Sequence, residues 1–272
     1  MTSQEHDKRF EFGKNWQTFA SSLTEAHIEG ATRALQTTLR TCTLQGLSFL
    51  DVGGGSGIHS LAARRLGATV HSFDYDPNSV ACMIAMRDRF QPRDTSWTIE
   101  RGSALDEEYL NRLGQFDIVY SWGVLHHTGS MWNALALVEQ RVKPGGTLFL
   151  ALYNDQGLRS RIWHRVKKAY VESPPLGKRV LVGAAGAYFG SIAAMSRALH
   201  GEPIVRKRSG FRGERGMERS TDLVDWVGGY PFEVSTPDQI FRFYHDRKYS
   251  LEHLKTCGSG HGCNEFVFRK EC

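Results

Sequence analysis

The sequence lacks a long apolar run, a strong excess of charge of one sign, internal repeats and low-complexity tracts. The apolar stretch 180–195 lies between Lys178, Arg179 and Arg197, and it is shorter than the roughly 20 apolar residues that cross a bilayer. We expect a buried helix there. The alternative is a helix that dips into a membrane surface to reach a lipid substrate. A membrane-spanning protein is therefore not expected.

Cysteine is scarce: there are five, an odd number at scattered positions, and the N-terminal residues lack the apolar core of a signal peptide. Free thiols in a reducing, cytoplasmic setting are the simplest expectation. Cys257, His261 and Cys263 lie close together in one glycine-rich loop, but zinc takes four ligands, so no metal is expected. The cysteines are Cys42, Cys82, Cys257, Cys263 and Cys272.

The net charge is +5 and the pI is near 9.0. This mild excess suits an anionic substrate and is too small to indicate nucleic acid by itself. Basic residues concentrate in the loop 205–219, where an arginine could grip a carboxylate or phosphate, although a solvated loop is the simpler interpretation. RNA binding ranks lowest, since Phe211 is the loop's one stacking aromatic.

From Leu47 onward, short apolar runs alternate with amphipathic stretches. This alternation predicts a doubly wound α/β fold with parallel strands and right-handed crossovers. The predicted strands are 47–52, 69–75, 97–101, 116–122 and 147–153, and the predicted helices between them are 58–67, 77–90, 106–113 and 131–142.

The two ends of the chain and one internal segment depart from this alternation. A helix is predicted at 17–41, and a helix at 237–247 precedes strands 248–257 and 264–270, which we expect to pair as an antiparallel hairpin. The predicted organisation is an N-terminal helical cap (1–46), a Rossmann-like core (47–154 and 236–272) and a helical insertion (155–235). The insertion is expected to cover the substrate site, which in such sheets lies beyond the carboxyl ends of the strands.

The most informative motif is a glycine-rich loop that follows the first predicted strand and opens a helix. Asp51 is followed by Gly53, Gly54, Gly55 and Gly57, in the spacing Asp-x-Gly-x-Gly-x-Gly. Glycines let the backbone turn tightly and approach a ligand, and the N–H groups of a helix start favour a carboxylate. A purely structural turn is the less favoured interpretation.

Asp74 ends the second predicted strand, where a carboxylate can accept hydrogen bonds from both ribose hydroxyls. NAD is one candidate ligand, but Ile58 occupies the position of the last glycine in its fingerprint. Asp51 at the loop entrance would repel a pyrophosphate and suits the amino group of S-adenosylmethionine. The motifs therefore favour S-adenosylmethionine.

With these motifs, residues 47–153 resemble the class I S-adenosylmethionine-dependent methyltransferases, in the style of those of quinone biosynthesis and their small-molecule relatives. The stretches that carry the resemblance are LDVGGGSGIHSL, FDYDPNSV, RGSALD, FDIVYSWGVLHHTG and VKPGGTLFLALYND. The resemblance implies a seven-stranded mixed sheet of order 3-2-1-4-5-7-6 with an antiparallel last strand. It also implies S-adenosylmethionine as the cofactor.

The resemblance assigns cofactor residues position by position. Many relatives carry an acid where Ser103 stands, which departs from the pattern at the adenine edge. The methionine end is assigned to the glycine-loop motif, the ribose to Asp74, the adenine to Tyr75, Ser103 and Ala104, and a further cofactor contact to Trp122. The loop residues are Asp51, Gly53, Gly54, Gly55 and Gly57.

Candidate acceptor-side residues follow the fourth and fifth strands. His126 or His127 is a candidate general base, because histidine exchanges a proton near neutral pH; a structural histidine is an equal alternative. Tyr153 and Asn154 could orient the acceptor, although Asn after a strand often only makes a turn. The expected activity is methylation of a small molecule. The alternatives are a non-methylating reaction of the same cofactor and, ranked lower, methylation of RNA or protein.

Overall fold

The computed structural model describes residues 9–13, 16, 23–199, 219–258, 260 and 262–272, and the side chains of 219–222 are outside this description. The chain divides into two compact units. The sheet unit comprises Glu11–Ser160 and Pro231–Cys272, and the helical unit comprises residues 9–10 and Arg161–Tyr230. The division into an N-terminal cap, a core and an insertion at 155–235 stays a prediction.

The sheet unit contains a seven-stranded sheet of order β3-β2-β1-β4-β5-β7-β6, which confirms the predicted topology. The first five strands are parallel, and β7 runs antiparallel to both β5 and β6. The strands are β1 (Ser48–Val52), β2 (Thr69–Asp74), β3 (Trp97–Arg101), β4 (Phe116–Trp122), β5 (Val142–Tyr153), β6 (Tyr249–Lys255) and β7 (Cys263–Lys270).

Helices accompany the sheet at nearly the predicted positions, because their apolar faces and capping residues are local signals. Pro77 stands at the first turn of α3 and the Asp76 carboxylate accepts from the N–H of Asn78, which fixes where that helix begins. The helices of the sheet unit are α1 (Glu25–Leu39), α2 (Ile58–Arg65), α3 (Pro77–Phe90), α4 (Glu107–Leu113), α5 (Met131–Glu139) and α9 (Pro237–His245).

Strand β5 begins five residues earlier than predicted. The pairing with β4 advances from Phe116–Val142 to Ile118–Thr147, so the stretch 143–146 bulges out of the register. Lys143 donates to Asp117 of β4, which holds this irregular start against the sheet. The proline and glycines of this stretch indicated a turn, and tertiary pairing overrides that local signal.

The helical unit consists of the C-terminal part of α6 (Leu158–Glu172), α7 (Pro175–Leu199) and α8 (Arg219–Gly228). Two expectations were wrong here. The apolar helix α7 is largely exposed, with Ala185 its buried residue. The helix α8 includes 219–220 and 225–228, which were expected at the ends of two loops, 202–220 and 225–233. By length and composition alone, α7 is the one described helix that could cross a membrane. The basic loop 205–219 lies almost wholly outside the described residues.

Candidate active site

The glycine loop bends sharply between β1 and α2. Gly53 adopts a φ of 76° and Gly55 a φ of 55°, both in the left-handed region. A methyl group on Gly53 would lie 2.4 Å from a Val124 side-chain carbon. The N–H groups of Gly53 and Gly54 donate to the carbonyl of Phe73, which fixes the bend to the end of β2. Side chains at these glycines would collide with their neighbours. The bend, residues 53–57, is called the cradle below.

Asp51 lies beneath this cradle and is buried. Its carboxylate accepts from the Ser60 hydroxyl, which shares a hydrogen bond of 2.7 Å with Ser72, and the Trp97 indole donates to Ser72 at 2.9 Å. Burial raises the pKa of Asp51 to about 7, an effect that the Ser60 bond opposes and the charge of Asp74 reinforces. The negative charge of Asp51 is thus poorly compensated, and a cation at the loop would stabilise it.

Asp74 stands at the carboxyl end of β2, where the sequence predicted the ribose acid. One carboxylate oxygen accepts from the N–H of Gly55 at 3.0 Å, and the other accepts from the N–H of Asp76 at 2.9 Å. The Ser79 hydroxyl also bonds to this carboxylate, which with about four acceptor positions keeps room for a ligand hydroxyl. Burial raises the pKa of Asp74 to about 6 although these N–H bonds oppose the rise. The carboxylate is oriented and ties the second strand to the glycine bend.

The predicted adenine residues lie at the same edge of the sheet. Tyr75 follows Asp74 and exposes 56% of its surface, with the Arg101 guanidinium 5.6 Å from its ring centre. Ser103 accepts from the N–H of Leu105, and Ala104 is buried. These residues follow two neighbouring parallel strands, β2 and β3, so a planar ligand beside Tyr75 would also reach the loop after β3.

A short N-terminal segment packs on the cradle. Gly13 donates its N–H to Asp76 at 2.8 Å, and a methyl group on Gly55 would lie 3.1 Å from the indole of Trp16. In the sequence, the aromatic residues Phe10, Phe12, Trp16 and Phe19 predict either a lid over the cofactor or a hydrophobic contact with the core. The structure places Trp16 against the backbone of the glycine loop, which is compatible with either role. Phe19 lies outside the described residues.

His126 and His127 form a short 3₁₀ turn after β4, Leu125–His127, and their environments differ. His126 has no exposed surface, and its Nδ1 accepts from the N–H of Tyr153 at 3.3 Å. A neutral ring that accepts at Nδ1 carries its proton on Nε2. The basic nitrogen of His126 is therefore occupied by the backbone of β5.

His127 has the opposite arrangement. Its Nδ1 lies 2.6 Å from the carbonyl oxygen of Pro231, which can only accept, so Nδ1 carries a proton. In the neutral ring the basic nitrogen is then Nε2. The ring is half-buried and packs between Phe12, at 4.8 Å, and Tyr153, at 5.4 Å. A carbonyl thus sets the tautomer and orientation of His127, which agrees both with a positioned base and with a structural histidine bonded to a backbone carbonyl.

The aromatics, glycines and proline of the stretch 225–233 predict either a rigid loop that presents aromatic rings to a pocket or a packed turn that anchors the insertion. The structure brings the end of this stretch, 231–235, to the candidate site. Its Pro231 orients His127, the Glu233 N–H donates to the carbonyl of His126, and the Glu233 carboxylate accepts from the first N–H of α5, that of Met131. The sequence contained the aromatic and proline pattern of this loop. It held no signal of which strand end the loop would contact, since that pairing spans about a hundred residues.

Tyr153 and Asn154 end β5 and differ in their contacts. Tyr153 is buried with its ring 4.0 Å from that of His126. The Asn154 side chain donates to the carbonyl of Gly258 and accepts from the amide of Asn264. These bonds tie the end of β5 to the β6–β7 hairpin. They indicate a structural role for Asn154, whereas Tyr153 lies directly beside the histidine pair.

Trp122 ends β4, and its indole N–H donates to Glu265 of β7 at 3.3 Å. Because β7 lies two strands from β4 on the side opposite β1, this bond directs the indole N–H away from the glycine loop. Glu265 also lies 3.9 Å from Lys255. The cofactor contact that the resemblance implies for Trp122 stays a prediction, and its indole N–H would not be the group that makes it.

The cradle leads to a first prediction. Gly53→Ala should lower stability by more than the 1–2 kcal/mol typical of a left-handed alanine, because its methyl group meets Val124. It should also weaken cofactor binding by about tenfold or more, equivalent to about 1.4 kcal/mol. Urea unfolding and calorimetric titration measure the two effects.

Gly46→Ala is the matched control, since Gly46 has a φ of 78° with no atom near the added methyl group. It should lose only the backbone contribution and bind the cofactor normally. Adding Val124→Ala to Gly53→Ala should recover part of the lost stability. Equal losses in Gly53→Ala and Gly46→Ala would contradict the steric account.

Residues 25–177, more than half of the chain, match the family described as "Methyltransferase domain". Among curated proteins, the chain is similar to the ubiquinone biosynthesis O-methyltransferases of Escherichia fergusonii and Escherichia coli, each 33% identical over 116 residues. The match covers 42% of this chain and 46% of each relative. The chain thus spans less than half the length of these curated relatives.

Solved structures share the fold at low sequence identity. The Haloferax volcanii putative methyltransferase in complex with the activator Trm112 has a TM-score of 0.56 and 13% identity, and covers 97% of this chain and 99% of that chain. Magnesium protoporphyrin IX methyltransferase from Synechocystis, with bound S-adenosylhomocysteine, has a TM-score of 0.52 and 13% identity, with coverages of 90% and 82%. These likenesses concern the fold alone.

Proposed function

The chain belongs to the methyltransferase-domain family and is an S-adenosylmethionine-dependent methyltransferase, and on that premise we propose that it methylates a small-molecule acceptor in a biosynthetic reaction. The observation that carries the proposal is the pairing of a complete cofactor cradle with an oriented histidine, His127, at the end of the neighbouring strand β4. The similarity to O-methyltransferases of ubiquinone biosynthesis supports a small acceptor.

The residues of the cradle fit S-adenosylmethionine. Gly53 and Gly55 permit a tight backbone bend, the Asp74 carboxylate can accept from a ribose hydroxyl, and buried Asp51 supplies negative charge that a cationic ligand compensates. Tyr75 offers an exposed ring for the base. When bound, the cofactor supplies an activated methyl group on a sulfonium; the protein supplies position and charge.

On the acceptor side we assign distinct roles to the neighbouring histidines. His127 holds its proton at Nδ1 against Pro231, so Nε2 can accept a proton from an acceptor hydroxyl or amine. His126 and Tyr153 are buried side chains against which the His127 ring packs. Removing the acceptor proton raises its nucleophilicity, and a fixed ring reduces the entropy lost in aligning the reactants.

The predicted insertion is connected to the sheet unit at Tyr153–Asn154 and at Ser235. In the sheet unit, Asn154 at the end of β5 forms a parallel bridge with Ser235, and the N–H of Ser235 donates to Tyr153. The chain therefore leaves and re-enters the sheet unit side by side, at the edge that carries the candidate site. That the insertion covers the acceptor, that the acceptor is anionic and that the protein is cytoplasmic remain predictions.

Product analysis tests the proposed reaction. The purified protein would be incubated with a metabolite extract and S-adenosylmethionine labelled at the methyl group, and the products would be separated by mass spectrometry. We expect S-adenosylhomocysteine and a labelled small molecule. Methylthioadenosine as the nucleoside product would show a non-methylating reaction, and label recovered only in RNA or protein would contradict the small-acceptor proposal.

A pH dependence of cofactor binding follows from Asp74. Ribose hydroxyls donate to the ionised carboxylate, and protonation removes that acceptor. Burial raises the pKa of Asp74 to about 6 and that of Asp51 to about 7, so affinity for S-adenosylhomocysteine should begin to fall near pH 7 and fall more steeply below pH 6, where Asp74 also protonates. Calorimetric titrations from pH 5 to 8 measure this. Asp74→Asn should remove the steeper part and keep the shallower decline; an equally steep decline below pH 6 in that variant would assign it to another group.

A further inference from the structure

The long helix α7 presents an apolar stripe to solvent. Over this helix of 25 residues, exposed apolar side chains recur at intervals of three, four or eight residues, which places them on one face. An exposed apolar stripe of this length is unfavourable in water and marks an interaction surface. The exposed residues, with the fraction exposed, are Leu176 (72%), Val180 (63%), Tyr188 (42%), Ile192 (40%), Met195 (63%) and Leu199 (79%).

The adjoining face of α7 is anchored within the helical unit, and Tyr188 at the margin of the stripe meets Trp163 edge-on, with ring centres 6.0 Å apart. Phe189, at mid-helix, stacks on Trp163 of α6 with ring centres 5.5 Å apart and planes within 8°, and it meets Trp226 of α8 edge-on at 6.3 Å. Ala185, one turn before it, is buried. Because protein covers one side of the helix at its middle, α7 is not a single span surrounded by lipid. It is a one-sided surface helix.

The ionisable side chains of α7 are all cationic. Lys178 and Arg179 lie near its start and Arg197 near its end, and residues 180–196 carry no charge. In the same unit, α6 exposes further cations at Arg161, Arg165 and Lys168 against one acid, Glu172. An apolar stripe with cations at both ends complements a surface whose interior is apolar and whose headgroups are anionic.

We propose that the exposed face of α7 docks on the surface of an anionic phospholipid bilayer. The helix, about 37 Å long at 1.5 Å per residue, lies parallel to the membrane with its apolar stripe among the upper acyl chains. Lys178, Arg179 and Arg197 contact phosphate groups at the two ends of the stripe. The inference concerns an interaction surface and is independent of the methyl-transfer reaction.

Vesicle co-sedimentation of the full-length protein tests this proposal. The protein should sediment with vesicles of phosphatidylglycerol and phosphatidylcholine, and the bound fraction should fall with rising salt, since screening weakens the cation–headgroup attraction. Vesicles of phosphatidylcholine alone should bind the protein at least about tenfold more weakly. Failure to sediment with the anionic vesicles at low salt would overturn the proposal.

Two paired variants locate the surface. Ile192→Asn with Met195→Asn should weaken vesicle binding at least tenfold, whereas Ile84→Asn with Leu254→Asn, at exposed apolar positions of the sheet unit, should not. Lys178→Glu with Arg179→Glu should reduce the salt-sensitive part of binding, and Arg197 at the other end of the stripe should carry part of the remainder. Arg112→Glu with Arg242→Glu, on exposed helices of the sheet unit, is its charge-matched control.

The folding and association of each variant complete the test. Cofactor affinity and thermal midpoint report folding, and light scattering reports the oligomeric state. Vesicle binding that survives in folded α7 variants would assign it to another surface and overturn the proposal. A concentration-dependent dimer of the wild type that dissociates in Ile192→Asn with Met195→Asn, without vesicle binding, would show that the stripe is an interface between chains.

Discussion

Asp74→Ala should reduce affinity for S-adenosylmethionine by about a hundredfold or more. Charge-assisted hydrogen bonds contribute about 1.5–3 kcal/mol each. The Asp74→Ala variant would lose the hydrogen bonds to the two ribose hydroxyls. It would also release the N–H groups of Gly55 and Asp76, which the Asp74 carboxylate holds at 3.0 and 2.9 Å, so the cradle would lose its connection to β2. Isothermal titration calorimetry with S-adenosylmethionine or S-adenosylhomocysteine measures the loss.

A structural carboxylate at the opposite end of the parallel strands gives the matched control. Asp117, at the start of β4, accepts from the Ser48 N–H and from Lys143, each at 2.9 Å. Asp117→Asn should lower the thermal midpoint and leave cofactor affinity unchanged. If Asp74→Ala retains affinity within about threefold, or if the two variants weaken binding equally through destabilisation, the assignment of the ribose to Asp74 fails.

Replacing each of the neighbouring histidines should separate catalysis from stability. His127→Asn should lower kcat by about a hundredfold to ten-thousandfold, the range for loss of a general base, with cofactor affinity unchanged. An asparagine amide can still donate to the Pro231 carbonyl in place of Nδ1, so the loop stays anchored while the basic Nε2 is removed. Steady-state kinetics with the identified acceptor, and calorimetry with S-adenosylhomocysteine, measure the two quantities.

His126→Asn is the matched variant at the buried position. Its amide oxygen can accept from the Tyr153 N–H as Nδ1 does, but the smaller side chain leaves a cavity at a fully buried site. It should lower stability more than His127→Asn does and lower kcat less than tenfold. The reverse pattern, with catalysis lost in His126→Asn and retained in His127→Asn, would exchange the two roles.

The sheet and the cradle were predictable because their signals are local. Strand runs, the glycines after Asp51 and the acid at Asp74 are read within about thirty residues, and a parallel crossover leaves few topologies open. The order of the seven strands and the antiparallel β7 agree with that prediction. The start of β5 was misplaced since Lys143 and the glycines after it are held by pairing with β4, a contact that local propensity does not encode.

The acceptor side was only partly predictable because its contacts join distant segments. His126 and His127 are adjacent in sequence, and their roles separate only through Tyr153, 27 residues on for His126, and Pro231, 104 residues on for His127. The exposure of α7 was missed for a different reason. Apolar residues at helical spacing look alike whether they face a core or solvent, and only packing distinguishes the face around Phe189 from the face around Ile192.

The central claim is that the glycine bend and the Asp74 carboxylate together hold the nucleoside of S-adenosylmethionine. A crystal structure of the protein with S-adenosylhomocysteine tests it most directly. The predicted result places both ribose hydroxyls within hydrogen-bond distance of Asp74 and the amino-acid end over Gly53–Gly55. A nucleoside bound elsewhere, or a cradle that stays empty at saturating concentration, would contradict the account.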